Sequence, residues 1–426
     1  MKLYQCLAAL LMLSGSVMAQ GQPASAPWLV RGFGTASATH TDDAGTGYVS
    51  YPQNISRAAR NDWTLANDSL VGLQLDVRAE QPLSATAQVI ARHRARDRVE
   101  PLLEWGFVKY RPDDNWTILV GRQLTPVQMD AENRFVGYAN TTVRADLSAY
   151  SLYPLSNHDG VSVTYERMLG DTHLEWMAYA GRASIELPGD ADGQSVFRYR
   201  ADLVKGLRLS IAHSGLTVRA SYTAFDDYVD GPPTAFFRLM LNQARAAQAS
   251  GCGSCGQAAE ALQNTLTDMG SALFDIGFRY DAAPYALWGE YFTNSARASL
   301  RSSYHGVALG ASIRRGKLTP YITYGRQLLL KINAHPISDA DLPGLSPQLS
   351  AFNQAPVFPS NSARHSWAMG TRYDITRNMA LKAEMLRVSL DDPSRANPTP
   401  FPKLSPPGEP RTHSFGLYTL ALDFVF

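Results

Sequence analysis

The chemistry this 426-residue sequence offers lies in charged side chains set at alternate positions, with no recognisable nucleophile among them. Arg78, Arg92 and Arg94 stand on two consecutive segments whose other faces are apolar. Those faces are Val71, Leu73, Leu75 and Val77 on the first, and Leu83, Ala85, Ala87, Val89 and Ala91 on the second. Alternate side chains of a strand point to opposite faces, so parity puts all three guanidiniums on the polar side. The same argument places Arg219, Arg279 and Arg372 on polar faces further along, with Glu166, Glu175, Asp275, Glu290 and Glu384 as acidic counterparts. Arg122 shares parity with Val120, and its side depends on whether Gly121 admits a bulge. Fixed charges facing each other across a narrow wet space act on solutes through a field rather than through bond making.

Bond-making chemistry finds little support. His365-Ser366 and His413-Ser414 are neighbours on strand-like segments, so their side chains diverge, and neither lies in a G-x-S-x-G setting. No catalytic residue, cofactor or metal site is expected. The sequence G-C-G-S-C-G at Gly251 to Gly256 carries Cys252 and Cys255. A disulfide at the tip of a loop is the preferred reading. Free thiols, a redox pair or half of a zinc site are the alternatives, though the βαβ context and further ligands those last two need are not visible.

These groups need elements to hold them. Lys2, an apolar run Leu7 to Leu13 and the small-residue ending Val17-Met18-Ala19 read as a secretory signal over 1–19, with 20–426 as one domain. No later stretch approaches the ~18 apolar residues of a spanning helix. The formal charge of +1 gives no reason to expect a nucleic-acid partner. Beyond the signal, period-two segments follow one another, joined alternately by tight turns and by generally longer links. Tight turns are expected around Gln81-Pro82, 111–115, Leu169-Gly170-Asp171, Ser214-Gly215, Ala283-Pro284, Arg315-Gly316-Lys317 and Thr376-Arg377-Asn378. The tally is about sixteen strands. His413 to Phe426 closes the series with an apolar face of Gly416, Tyr418, Leu420, Leu422 and Phe424. An exported chain with such strands and no spanning helix enters a membrane only as a closed antiparallel β-barrel, apolar outside and wet inside.

Three passages carry a family likeness. They are D-S-L-V-G-L-Q-L-D-V-R-A-E-Q-P-L-S-A-T-A-Q-V at Asp68 to Val89, L-L-E-W-G-F-V-K-Y…I-L-V-G-R-Q-L-T-P within Leu102 to Pro126, and the terminal strand ending in Phe426. On them the chain resembles the Gram-negative outer-membrane porin superfamily, in its sixteen-stranded trimeric form. The resemblance implies an outer-membrane diffusion channel for small hydrophilic solutes, with short periplasmic turns and long external loops. It also implies a homotrimer, contact with outer-membrane lipid and lipopolysaccharide, and handling by the barrel-assembly machinery through Phe426 as insertion signal. It further implies that the third loop, 125–159, folds inward and brings Asp130, Glu132, Arg134, Arg144 and Asp146 to a constriction facing Arg78, Arg92, Arg94 and Arg122. The alternative is a solvated external loop. The arginine cluster tilts the expected preference toward small organic anions. The fifth loop, 226–269, reads as a helical hairpin, from the Ala-, Leu- and Gln-rich spacing of Phe236 to Ala249 and Gln257 to Asp268. The rival functions are a plugged surface receptor or adhesin and, less well supported, an outer-membrane lipid hydrolase.

Overall fold

The computed structural model describes residues 27–42, 48–51, 53, 57–59, 61–78, 82–145, 155–188, 196–297, 303–331, 337–354, 363–391 and 414–426. The signal-like segment, Asp146 and the Pro-rich stretch 393–410 lie outside the described residues.

Sixteen strands form one closed antiparallel barrel. In chain order they are β1 (Trp28–Thr41), β2 (Leu70–Arg78), β3 (Leu83–His93), β4 (Val99–Tyr110), β5 (Trp116–Leu124), β6 (Asn157–Leu169), β7 (Thr172–Pro188) and β8 (Val196–His213). The second half comprises β9 (Leu216–Asp230), β10 (Ser271–Ala282), β11 (Tyr285–Ala296), β12 (Ser303–Ile313), β13 (Leu318–Lys331), β14 (Arg364–Thr376), β15 (Met379–Leu390) and β16 (Ser414–Val425). Every strand pairs with its neighbours in sequence, and β16 pairs with β1, so the sheet has no free edge. The strand count and closure agree with the reading from alternation.

Alternation resolves into two surfaces. On β16, Leu417, Thr419, Ala421 and Asp423 are buried inside, while Tyr418 and Leu420 stand exposed outside. On β2, Val71, Leu73, Leu75 and Val77 are all exposed outward. One aromatic cluster lies on the outside near the tight-turn end, where Trp116, Tyr165 and Trp176 pack together. Exposed large apolar side chains and aromatic clusters of this kind suit a surface immersed in lipid. Glycine does one necessary job at the seam. A Cβ on Gly32 would lie 2.1 Å from Cζ of Phe426, and one on Gly34 would lie 2.5 Å from Cζ of Phe424. The two terminal rings thus lie flat over bare backbone, and Gly32 and Phe426 exchange backbone hydrogen bonds of 2.8 and 2.9 Å.

Several elements run longer than alternation alone suggests. β6 begins at Asn157 and β8 at Val196, several residues before their clean apolar faces. The extra length of β8 is stabilised by charge on its outer face, where Arg200 contacts Asp202 and Asp230. The loop between β3 and β4 is only 94–98. The loop between β9 and β10 carries two helices, α1 (Pro232–Ala249) and α2 (Cys255–Thr267), and a disulfide joins Cys252 to Cys255. Ile337 and Leu349, from the β13–β14 connection with its helix α3 (Pro347–Gln354), complete an apolar cluster with Met240, Leu241, Ala258 and Leu262.

Candidate functional site

The third loop, between β5 and β6, crosses the barrel. Its start is fixed to the wall at β9, where Ser221 Oγ donates to the Val127 carbonyl at 2.6 Å. Arg219 donates to the Met129 carbonyl at 2.8 Å, and the Met129 N–H donates to Glu290 on β11 at 2.9 Å. Glu132 then accepts from Arg208 on β8 (2.5 Å) and Arg219 on β9 (3.0 Å). Both guanidiniums face inward; Arg208 is also paired with Glu175 of β7 at 2.7 Å, and the carboxylate of Glu132 on the loop bridges the two arginines.

The chain then reaches the far wall. In a ring of sixteen, β16 and β1 stand opposite β8 and β9. Phe135 packs with Phe33 of β1, Leu70 of β2 and Ile90 of β3. Lys382 of β15, fully buried, forms an ion pair with Asp423 of β16 at 2.8 Å. The same ammonium donates to the carbonyls of Gly137 (2.7 Å) and Thr142 (2.8 Å). Arg372 holds the carbonyls of Tyr138 and Asn140, and the Tyr138 hydroxyl donates to the Arg377 carbonyl in the tight β14–β15 turn. The loop therefore descends toward the tight-turn end of the barrel as well as across it.

Arg144 ends the described crossing. It donates to Asp68 at 2.7 Å, to Thr419 Oγ1 at 2.7 Å and to Glu384 at 3.4 Å. The neighbouring Val143 N–H is held by the Tyr321 hydroxyl and Glu384. One guanidinium thus ties the third loop to the beginning of β2, to β15 and to β16.

A cavity remains on one side of the crossing. It is bounded by Asp130, Thr142 and Arg144 on the loop, and by Arg279, Trp288, Glu290, Thr323, Arg364 and Glu384 on β10 to β15. Its charged lining alternates in sign, and Asp130 lies within electrostatic reach of both Arg279 and Arg219. The first loop also packs inside the barrel, with Tyr48 on the lining of this cavity and Ser50 and Tyr51 beside a smaller hollow bounded by Arg134 and Phe135. Tyr48, Val49, Ser50 and Gln53 are all buried, and Tyr51 lies over the guanidinium of Arg92 at 4.3 Å.

The sequence-derived candidates therefore separate. Asp130 and Arg144 border the cavity, and Glu132 binds the wall arginines. Arg134 lies beside Tyr51 and Phe135. Arg92 is 5% exposed beneath the first and third loops, and Arg94 is buried with its guanidinium on the carbonyls of Ile90 and Glu100. Arg78 is exposed at the turn end of β2. The ladder through Gly121 is unbroken, so Arg122 stays on the outer parity and makes a two-pronged ion pair with Asp159 at 2.7 and 2.8 Å. Lys382, Arg208, Arg364, Trp288 and the first-loop residues Tyr48 and Gln53 were not singled out from sequence. Lys382 was accessible to the same parity argument as its neighbour Glu384, two residues on.

No protein-family model and no curated protein sequence matches the chain. Solved structures do. OmpF of Salmonella typhi in complex with daunomycin superposes with a TM-score of 0.54, covering 94% of this chain and 97% of that one at 12% identity. The outer membrane channel DcaP of Acinetobacter baumannii gives 0.52, with 94% and 97% covered at 10% identity. An anion-selective porin from Comamonas acidovorans gives 0.51, with 94% and 99% covered at 11% identity. The chain has the fold of these sixteen-stranded outer-membrane proteins.

Proposed function

We propose that this chain is an outer-membrane porin, a passive channel in which small hydrophilic solutes pass between the third loop and the wall of β10 to β15. The observation that carries this reading is the crossing itself. A loop fastened to opposite walls by buried charge leaves a cavity with charged groups of both signs on its lining, inside a barrel whose outside is apolar. A solute entering there meets Asp130 on the loop and Arg279 and Arg364 on the wall, a transverse field that favours charged or dipolar molecules over apolar ones. Arg92, Arg94 and Arg134 add positive potential from behind the loop and support a weak preference for small anions, carboxylates among them. Reconstitution in a planar bilayer tests the channel: discrete conductance steps are expected, and their absence contradicts it. Reversal potential in a salt gradient tests the charge preference. Chloride selectivity that falls in Arg279→Glu is expected, and cation selectivity in the native protein refutes the anion preference.

A second reading, a sealed surface receptor, draws on the inward first loop and the helical cap formed by α1, α2 and the β13–β14 connection. The same bilayer measurement separates it from the channel. The homotrimer reading is supported by small outward side chains on β1 and β3 (Ala36, Ala38, Ala85 and Ala87), which permit close approach of a second barrel. Light scattering of the detergent-solubilised protein tests it, with three chains per particle expected.

A further inference from the structure

Trp288 is an indole on the inner wall of the barrel. Tyr285, Leu287 and Tyr291 of β11 are exposed outside, so Trp288 and Glu290 take the inward parity, and both line the cavity. Gly310 of β12 lies opposite Trp288 in the ladder, and a Cβ there would collide with Cε2, Cζ2 and Nε1 of the indole. The ring therefore lies across bare backbone, held against the wall yet only half-buried. Beyond it the same row continues on small side chains, Gly310 opposite Thr323 and Thr323 opposite Ala368. In the other direction Trp288 stands opposite Arg279 of β10. Two residues before Arg279, Gly277 has no side chain, and Met129 of the third loop packs into that gap. The loop thus borders the row at its charged end.

Two opposite charges flank the indole there. Asp130 on the loop and Arg279 on the wall both line the cavity, half-buried, and act on each other electrostatically. Arg279 gives its Nε to Asp281, on the tight-turn side, at 2.9 Å, and a guanidinium has further N–H groups for a second carboxylate. Glu132 and Arg219, which also act on Asp130, are paired with each other at 3.0 Å. Adjacent strands are about 4.8 Å apart, so the ring and the charges beside it address one small molecule rather than two.

We propose that this corner of the cavity selects zwitterions that carry a flat ring, aromatic α-amino acids being the simplest. The solute ring lies against Trp288, its carboxylate meets Arg279 and its ammonium meets Asp130. The proposal rests on the channel reading and gives that passage a solute class. A solute with both charges answers a pair of opposite sign, whereas an acid or an amine alone meets one of the two with like charge. A saturated ring of similar size keeps the charges but loses the contact between aromatic rings, which is worth roughly two- to twelvefold in binding.

Single-channel current through the full chain in a planar bilayer tests this, with L-phenylalanine, L-cyclohexylalanine, 2-phenylethylamine and 3-phenylpropionate added in turn. Phenylalanine is expected to block at the lowest concentration, roughly two- to twelvefold below cyclohexylalanine. Trp288→Leu should close the gap between those two, and Trp288→Tyr should keep it. Arg279→Gln should close the gap between phenylalanine and 2-phenylethylamine. Conductance steps in salt alone, with equal block or none by phenylalanine and cyclohexylalanine, overturn the proposal and leave the channel standing, with no variant needed. Absence of steps overturns the channel reading itself and the solute class with it.

Discussion

Replacing Arg144 with methionine removes the guanidinium that joins the third loop to Asp68, Thr419 and Glu384. The side chains of Asp68 and Glu384 are 6% and 3% exposed, so both carboxylates are left buried without their cation. Breaking a buried ion pair from one side destabilises the docked arrangement by about 3–5 kcal/mol. At 1.4 kcal/mol per factor of ten, the docked end of the loop loses roughly 10² to 4 × 10³ in population. The effect is local. The anchors at Glu132, Glu290, Arg372 and Lys382 are untouched and keep residues 127–142 in place. The expected outcome is a folded barrel with larger single-channel conductance and increased open-channel noise, since residues 143–145 swing away from the cavity. Adding Asp68→Asn and Glu384→Gln removes the stranded charges and is expected to restore part of the native stability and quiet the current. Unchanged conductance and noise in Arg144→Met, with the protein correctly folded, refutes the assignment of Arg144 as the clasp.

Further outcomes follow from separate parts of the molecule. Asp341, in the β13–β14 connection, accepts from the hydroxyl and N–H of Ser254 and from the N–H of Gly253 at the disulfide tip, and these bonds hold its carboxyl below the usual carboxylate range. A depressed value means that the stabilisation is present above the unfolded-state value and is lost only as pH falls through the depressed one. A 13C-carboxyl titration should therefore find Asp341 ionised where ordinary aspartates are already protonated, and Ser254→Ala should return it toward them; a native Asp341 titrating like an exposed aspartate contradicts this. Gly32→Val forces its side chain against the Phe426 ring, and overpacking of this kind destabilises by about 1–3 kcal/mol. The urea midpoint of the refolded barrel should fall accordingly, and an unchanged midpoint would show that the terminal ring is not seated at the seam. Cys252→Ser should leave conductance steps intact, because Asp341 and the apolar cluster around Leu262 and Ile337 still hold the helices together. Loss of the steps in that variant would place the helical tip in the conduction path.

Much of the barrel was legible because a strand has one dominant period. Val71 to Val77 against Gln74, Asp76 and Arg78 announces both a strand and its orientation, and the paired turns then give direction and order. Side, however, is all that parity gives. It puts Arg92 and Arg94 inward but says nothing of what lies in front of them, and the first loop that covers Arg92 has no repeating pattern to read. Arg122 shows the opposite difficulty. The glycine beside it suggested a bulge, yet the ladder continues: Gly121 lies close against the backbone of Gly106 and Phe107, and the arginine finds Asp159 on the outside. The path of the third loop was hardest to foresee. It is set by single hydrogen bonds from Lys382, Arg372 and Arg219 to loop carbonyls, contacts between residues as much as 245 positions apart.

Where the open path runs is best settled by chemical access from inside the lumen. Thr323→Cys and Ser366→Cys place a thiol on the cavity lining, while Ser37→Cys places one on the buried inner face of β1. With the native cysteines joined in a disulfide, a charged methanethiosulfonate reagent added to the bilayer chamber should reduce conductance in the first two variants and leave the third unchanged. Block through Ser37→Cys with no effect at Thr323→Cys or Ser366→Cys would contradict a passage along β10 to β15.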